Sequence, residues 1–365
     1  MSLYATFLRP SLFRLDPERA HHLAMDLGAR AAFAAPLMRR LSAVDDPRLP
    51  VTVGGLTFPT PIGLSAGFDK NGEAVAVLAG LGFGFVEIGS VSAEPSAGNP
   101  PPRLFRLPED RALVVAYGVP NEGADAVAHR LAGQRLPVPL GINIVATNRG
   151  RGAPAIGDDA LITEYMTAAR KLAPAADYLM FNLSCPNTTD GCDFFADPAR
   201  LDAWLTALDE TPYTPRPSFL KVSPLGGVAM IEQLLEIVGR HKKISGLMFN
   251  LPSIKPAGLT TPESVWKTWP GAVSGPPAAA LLDTCLVECF RRMDRSRYVL
   301  LASGGVSTAA DAYAKIRKGA SLVALLTALI YEGPGVVRQI TRGLLDLMDR
   351  DGVKHISEVV GVDVV

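Results

Sequence analysis

The sequence predicts an α/β protein, a (β/α)8 TIM barrel preceded by a small N-terminal two-helix domain. Three observations predict it. Eight short apolar runs alternate with helical patterns from residue 58 onward. Polar residues gather at the C-terminal ends of those runs. The first 45 residues carry only helical periodicity. Runs apolar along their whole length are what parallel strands buried on both faces require, and eight β/α units suggest a closed barrel. A doubly wound open sheet is the alternative architecture. The expected division is 1–45, helical, and 46–365, barrel.

In chain order, Leu3-Tyr4, Phe7-Leu8 and Leu12-Phe13 make a short apolar helix carrying Arg9 and Arg14. Its face must be buried, either against the barrel or in a lipid headgroup layer with the arginines on anionic lipid. Asp16-Pro17-Glu18 is a helix start, because Asp caps free N–H groups and Pro fits the first helical position. Ala20, Leu23, Ala24, Leu27 and Ala31 then form one apolar stripe. The eight expected strands follow: Pro61–Leu64, Phe85–Ile88, Leu140–Ile144, Tyr178–Leu183, Phe219–Val222, Gly246–Asn250, Val299–Ala302 and Leu322–Leu326.

Lys70 comes just after the first run and Ser90 after the second, followed by Asn143, Asn182, Lys221 and Asn250 at the ends of the next four. In barrels that rim is where active sites are built. A lysine inside a Phe-Leu-Val strand is costly to bury, so Lys221 needs an anionic or acceptor partner. After the seventh run, Ser303-Gly304-Gly305-Val306-Ser307 opens a helix. Glycines let backbone N–H groups approach a phosphate, and a helix start favours its charge. Thr327, ending the eighth run, completes the site. The segment Asn182-Leu183-Ser184-Cys185-Pro186-Asn187-Thr188 ends the fourth run. Its asparagines suit a ligand with both donors and acceptors, and Cys185 can move a proton. A structural cysteine beside a turn proline is the plainer alternative.

Composition narrows the partners. Of 365 residues, 48% are hydrophobic and 20% charged, which suits a large core. Lysine plus arginine equals aspartate plus glutamate at 36 each, which argues against nucleic acid. The four cysteines, Cys185, Cys192, Cys285 and Cys289, form no CxxC pair, so no metal site or thioredoxin motif is expected. Cys285 and Cys289 read as small core residues. No apolar run is long enough to span a membrane, and no secretory leader is evident. A reducing, cytosol-facing location is the default.

Several blocks resemble the dihydroorotate dehydrogenase family, in the family's order along nearly the whole chain. They are Ser65–Glu73, Val86–Val91, Gly98–Leu107, Gly141–Asn143, Asn182–Asn187, Ser274-Gly275 and Gly319–Val323. Leu15–His21 resembles the membrane-associated, quinone-using class, in which two N-terminal helices form the quinone entrance. The resemblance implies FMN held by Ala66, Gly67, Lys70, Ser90, Asn143, Asn182, Lys221, Gly275, Gly305 and Thr327. It implies substrate against Lys70, Asn182, Asn187 and Asn250, with Cys185 as catalytic base and Lys70 beside the flavin. Arg106 would lie towards the quinone entrance. The implied reaction is oxidation of dihydroorotate to orotate in pyrimidine biosynthesis, with electrons passed to a quinone. The implied location is peripheral, on the cytoplasmic side of a membrane.

The sequence departs from the family on the substrate side. Cys185 stands where the quinone-using class has serine. Val115 replaces an asparagine, Val119-Pro120 a Phe-Asn pair, and Leu251 a threonine; Val145-Ala146-Thr147 replaces Gly-Lys-Asn. Each lost hydrogen bond to a buried ligand group costs about 1–3 kcal/mol. These changes open a second reading, a paralogous flavin enzyme for a less polar cyclic amide or unsaturated carbonyl compound. A membrane-surface or flavin-binding module without turnover is a third.

Overall fold

The computed structural model describes residues 4–150, 152–154, 156–185, 194–212 and 217–364. Eight parallel strands close into a barrel: β1 (Ile62–Leu64), β2 (Phe85–Val91), β3 (Leu140–Ile144), β4 (Tyr178–Asn182), β5 (Ser218–Val222), β6 (Ile244–Phe249), β7 (Val299–Ala302) and β8 (Ala320–Leu325). Each strand pairs with the next in sequence, and β8 returns to β1 through Val323–Ile62 and Leu325–Leu64. Seven of the eight strands have four residues or more, and nearly every position is buried. This is why they read as apolar runs without alternation.

Aromatic rings fill the floor of the barrel. Phe58, Phe85, Tyr178 and Phe219 meet edge to face or tilted, with centroids 5.5 to 6.3 Å apart. Gly63 and Gly141 make room for them: a Cβ at either position would lie 2.1 Å from the ring of Phe85 or Tyr178. A hairpin, Val51–Val53 with Leu56–Phe58, carries Phe58 into that floor. Function is therefore left to the opposite, C-terminal rim.

A second, smaller sheet went unread in the sequence. Leu104–Leu107, Ala112–Val115 and Ala272–Ser274 form a separate antiparallel sheet over that rim. Its strands are three or four residues long, too short for a two-residue period to register. Its own small core is Leu107, Ala112, Val114 and Val273, beside a Phe105–Trp269 stack at 4.5 Å.

The N-terminal segment is mostly helical, as expected: Tyr4–Leu8, Arg9–Leu12, Pro17–Arg30, Ala32–Ala34 and Ala35–Ser42, with turns between. Asp16 caps the third of these as expected, its Oδ1 accepting from the Glu18 and Arg19 amides at 3.1 and 3.0 Å. The expected apolar stripe does not seal against the barrel. Ala20 and Met25 are buried, but Leu23 and Leu27 stand 43% and 56% exposed. The segment is pinned instead by helix Ala35–Ser42, which lies so close to Val75–Gly80 that a Cβ on Gly80 would meet the Ala35 carbonyl at 2.9 Å.

Candidate active site

One cavity of about 510 Å³ opens at the C-terminal rim, a size suited to a small-molecule ligand. Of the residues singled out in the sequence, Ala66, Gly67, Lys70, Ser90, Arg106, Asn182, Cys185, Lys221, Asn250, Gly275, Gly305 and Thr327 all line it. Asn143 stands directly behind the wall, accepting from the Ser90 hydroxyl at 2.5 Å. Asn187 and Cys192 lie outside the described residues. The cavity runs from the barrel axis out between the N-terminal helices, where Phe13, Ala20, His21 and Met25 line it.

At the axis the amides form a chain. Asn182 Nδ2 donates to Ser90 Oγ at 3.4 Å, and Asn250 Nδ2 donates to Asn182 Oδ1 at 3.1 Å. Cys185 is buried in the wall beside them. Lys221 is only 8% exposed. Burial pulls its ammonium down from the ordinary lysine range, while the carboxylate of Glu87 and the Cys185 side chain pull it back. The acidic group whose charge reaches Lys221 is Glu87, inside β2, without a direct hydrogen bond or ion pair between them. It went unread although the same argument applies, because Phe85-Val86-Glu87-Ile88 is as apolar a setting as the one around Lys221.

Lys70 sits on the outer side. Its Nζ lies 3.2 Å from His21 Nε2 and 4.2 Å above the Tyr117 ring. An ammonium only donates, so Nε2 accepts and the ring proton is on Nδ1. Burial, with Lys70 next, holds His21 well below the ordinary histidine value, so the ring is neutral near pH 7. Burial likewise pushes Lys70 down to about 8. His21 was not foreseen; its helix is brought onto the rim by Arg103, which grips Glu18 at 2.7 Å and the Ala97 carbonyl at 2.7 Å.

The far end of the cavity holds Ser274, Gly275, Ser303, Gly304, Gly305 and Thr327, with Ser274 Oγ 3.0 Å from Thr327 Oγ1. Gly305 has φ +75°, and a Cβ there would meet Ala279 at 2.6 Å. The backbone is therefore bare at the wall, as a phosphate cradle needs. One expectation is corrected. The helix after this loop begins four residues on, at Ala309, and is closed by its own Thr308–Asp311 capping box. The uncapped start faces in from Gly275, which leads into Pro276–Ala278 and helix Ala279–Arg292 without a side-chain cap.

Arg106 crosses from the rim sheet to the N-terminal segment. It donates to the Leu15 and Phe13 carbonyls at 2.8 and 3.3 Å and lies 4.5 Å over the Phe13 ring. Arg9, on lipid in one of the two readings, instead turns inward and donates to the Tyr331 carbonyl at 2.8 Å. Val115, Val119 and Leu251 line the cavity, so the apolar replacements do face its interior. The cavity suits a flat, polar, phosphate-bearing ring. It has a bare glycine backbone at one end and buried amides and a lysine at the other. The buried Tyr117 hydroxyl on its wall lacks a hydrogen-bond partner among the described residues.

Residues 48–348 match the model of the dihydroorotate dehydrogenase family. The chain belongs to that family. It is an oxidoreductase acting on CH–CH groups, of a flavin-dependent kind. A dihydroorotate dehydrogenase (quinone) of Natronomonas pharaonis is 40% identical over 367 residues, covering 100% of both chains. One of Thermobifida fusca is 40% identical, covering 99% of this chain and 97% of that one. A solved DHODH of Eimeria tenella in complex with ferulenol superposes with a TM-score of 0.81 at 31% identity, covering 95% of this chain and 96% of the other. The family match begins at residue 48, beyond the N-terminal helices, whereas the full-length relatives extend across them.

Proposed function

We propose that the chain oxidises dihydroorotate to orotate on bound FMN and passes the electrons to a quinone, a step of pyrimidine biosynthesis. The observation that carries this is the single cavity joining the Asn182–Cys185–Lys221 end to the N-terminal helices. FMN, when bound, would supply a ring able to take up hydride from the substrate. Ser274, Gly275, Gly305 and Thr327 hold its phosphate; Ala66, Gly67, Ser90, Asn143 and Asn182 hold its ring. Lys70 and Lys221 bring positive charge, which favours the reduced, anionic form. Asn182 and Asn250, with Asn187, hold the substrate's amide edges, and Cys185 takes the proton from the carbon beside the hydride donor.

The segment 1–45 forms the quinone entrance, with Arg106 at its inner end. It also supplies the membrane contact. Among the described residues, eight of the twelve large apolar side chains that are exposed fall within it, including Phe7, Leu27, Phe33 and Leu37. Arg14, Arg30 and Arg40 are exposed on the same segment. No described helix is long and apolar enough to cross a membrane. The proposed location is therefore peripheral, on the cytoplasmic side. Anaerobic mixing with dihydroorotate should bleach the flavin, and a quinone analogue should restore its colour. A flavin that dihydroorotate leaves oxidised would rule the reading out.

Val115 and Leu251 on the cavity wall favour one second reading, a related flavin enzyme for a less polar cyclic amide or unsaturated carbonyl compound. Orotate titrated into the oxidised protein separates the two. A tight, saturable change in the flavin spectrum supports the dihydroorotate reading. No change, together with reduction by an apolar analogue, supports the other.

A further inference from the structure

Helix Pro17–Arg30 walls the cavity at its entrance, yet little apolar burial holds it there. Of its fourteen residues only Ala20 and Met25 are buried. Polar contacts must therefore fix its seat. The first is made by Glu18, in the first turn of the helix. Arg103 meets it as a fork. Its Nε donates to Glu18 Oε1 at 3.0 Å and to Oε2 at 3.3 Å, and its Nη2 donates to Oε1 at 2.7 Å. The two side chains are 14% and 16% exposed, so water and salt screen this pair less than a surface pair.

Arg103 is itself anchored. Its Nη1 donates to the Ala97 and Asn99 carbonyls at 2.7 and 2.9 Å, and its own carbonyl accepts from the Ala116 amide at 2.8 Å. Gly98, at φ +71°, lets that loop close, since a Cβ there would lie 2.4 Å from the Tyr117 carbonyl. One turn after Glu18, on the same side of the helix, His21 makes the second contact. Its Nε2 accepts from Lys70 Nζ at 3.2 Å. Both contacts converge on Tyr117, whose ring centre lies 4.2 Å from Lys70 Nζ and 5.3 Å from the Arg103 guanidinium carbon. Glu18, Arg103, Tyr117, Lys70 and His21 thus close a circuit of side chains that begins and ends on one helix.

We propose that Arg103 and Glu18 are a positioning pair for the second half of the reaction, reoxidation of the flavin by quinone: they seat helix Pro17–Arg30 so that the entrance keeps its shape beside Lys70. The proposal rests on the quinone reading above. Neither side chain lines the cavity, so the pair acts through the helix and not by touching a ligand. A helix released from Arg103 carries His21, Ala24 and Met25 away from the cavity wall and leaves Lys70 without its acceptor. The substrate end, by contrast, is built on the barrel itself, with Asn182 closing β4 and Asn250 following β6. Dihydroorotate should still reduce the flavin there.

The test is a double-mutant cycle of Glu18→Ala and Arg103→Met, read on both halves of the reaction in the FMN-loaded protein. Each single variant should raise the KM for a short-chain quinone analogue about 10- to 100-fold, the scale of hydrogen bonds to a charged group. Flavin reduction by dihydroorotate, followed by stopped flow, should be unchanged. The double variant should be no worse than the more damaged single variant. Additive losses overturn the proposal, because the two side chains would then act separately. Equal losses in both halves overturn it too, because the pair would then be merely structural. If Arg103→Met does not fold, Glu18→Gln is read with Glu18→Ala; it keeps one acceptor and should show a smaller loss confined to the quinone half. A loss in the dihydroorotate half of Glu18→Gln overturns the proposal. Wild-type flavin that dihydroorotate reduces and quinone fails to reoxidise would instead sink the quinone reading. The seat of the helix is then read by hydrogen exchange. Amides of Pro17–Arg30 should exchange about 10- to 100-fold faster in Arg103→Met, with the barrel strands unchanged. Unchanged protection of that helix overturns the proposal.

Discussion

At the residue scale, Cys185 and Lys70 each carry a prediction. Cys185 is buried in the cavity wall, where it is proposed to take the substrate proton. Cys185→Ala should keep its flavin and lose about 10²- to 10⁴-fold in the rate of flavin reduction, the usual contribution of a positioned base. Stopped-flow reduction of the loaded variant measures this, and a loss under 10-fold would exclude the role. Lys70 carries a pH dependence. Burial brings its ammonium to about 8, so it is charged below that pH and neutral above it. A cation beside the reduced flavin raises the potential, so the midpoint potential should fall more steeply with pH once pH passes about 8. In Lys70→Met the extra fall should be absent. A wild-type curve with the variant's slope throughout would remove Lys70 from the flavin's surroundings.

At the scale of elements, the helix Pro17–Arg30 serves two surfaces. Its inner side, Ala20, His21, Ala24 and Met25, lines the cavity, and its outer side shows Leu23 and Leu27 to solvent. The apolar stripe was legible, because its three- and four-residue spacing is intrinsic to a helix. Which half of it the barrel would cover was not legible, because that depends on the docking angle set by Arg103, Glu18 and Ala35–Ser42. The double substitution Leu23→Glu and Leu27→Glu should therefore leave turnover with a short-chain quinone analogue intact. It should weaken binding to anionic vesicles by at least about 100-fold, given about 1.5–3 kcal/mol for each leucine buried. Co-sedimentation measures it. Equal binding by wild type and variant would place the membrane contact elsewhere or nowhere.

For the whole molecule, the barrel was legible because its eight strands are largely apolar runs set among helical patterns. The rim was legible because Lys221, Asn143, Asn182 and Asn250 interrupt that apolarity at matching ends. What stayed hidden is non-local: the Lys70–His21 contact, the Arg103–Glu18 pair and the rim sheet each join segments far apart in sequence. Glu87 was hidden for another reason, since it stands mid-strand rather than at the rim. Together these features fold much buried polarity around one cavity. Lys221, Glu87, Asn143, Asn182 and Asn250 are all under 9% exposed, and Glu87 bonds Asn143 while Asn182 bonds Asn250. A ligand that completes this network only in the folded state must stabilise the whole, by about 4 kcal/mol at a thousandfold excess over its dissociation constant. Removing FMN should therefore lower the thermal midpoint by roughly 5–10 °C, since each kcal/mol moves a large domain by about 2 °C. The drop should be a single cooperative shift, because the cavity is walled by strands from all around the barrel. Scanning calorimetry of the holoprotein and apoprotein measures it. Equal midpoints would mean that FMN does not complete this network.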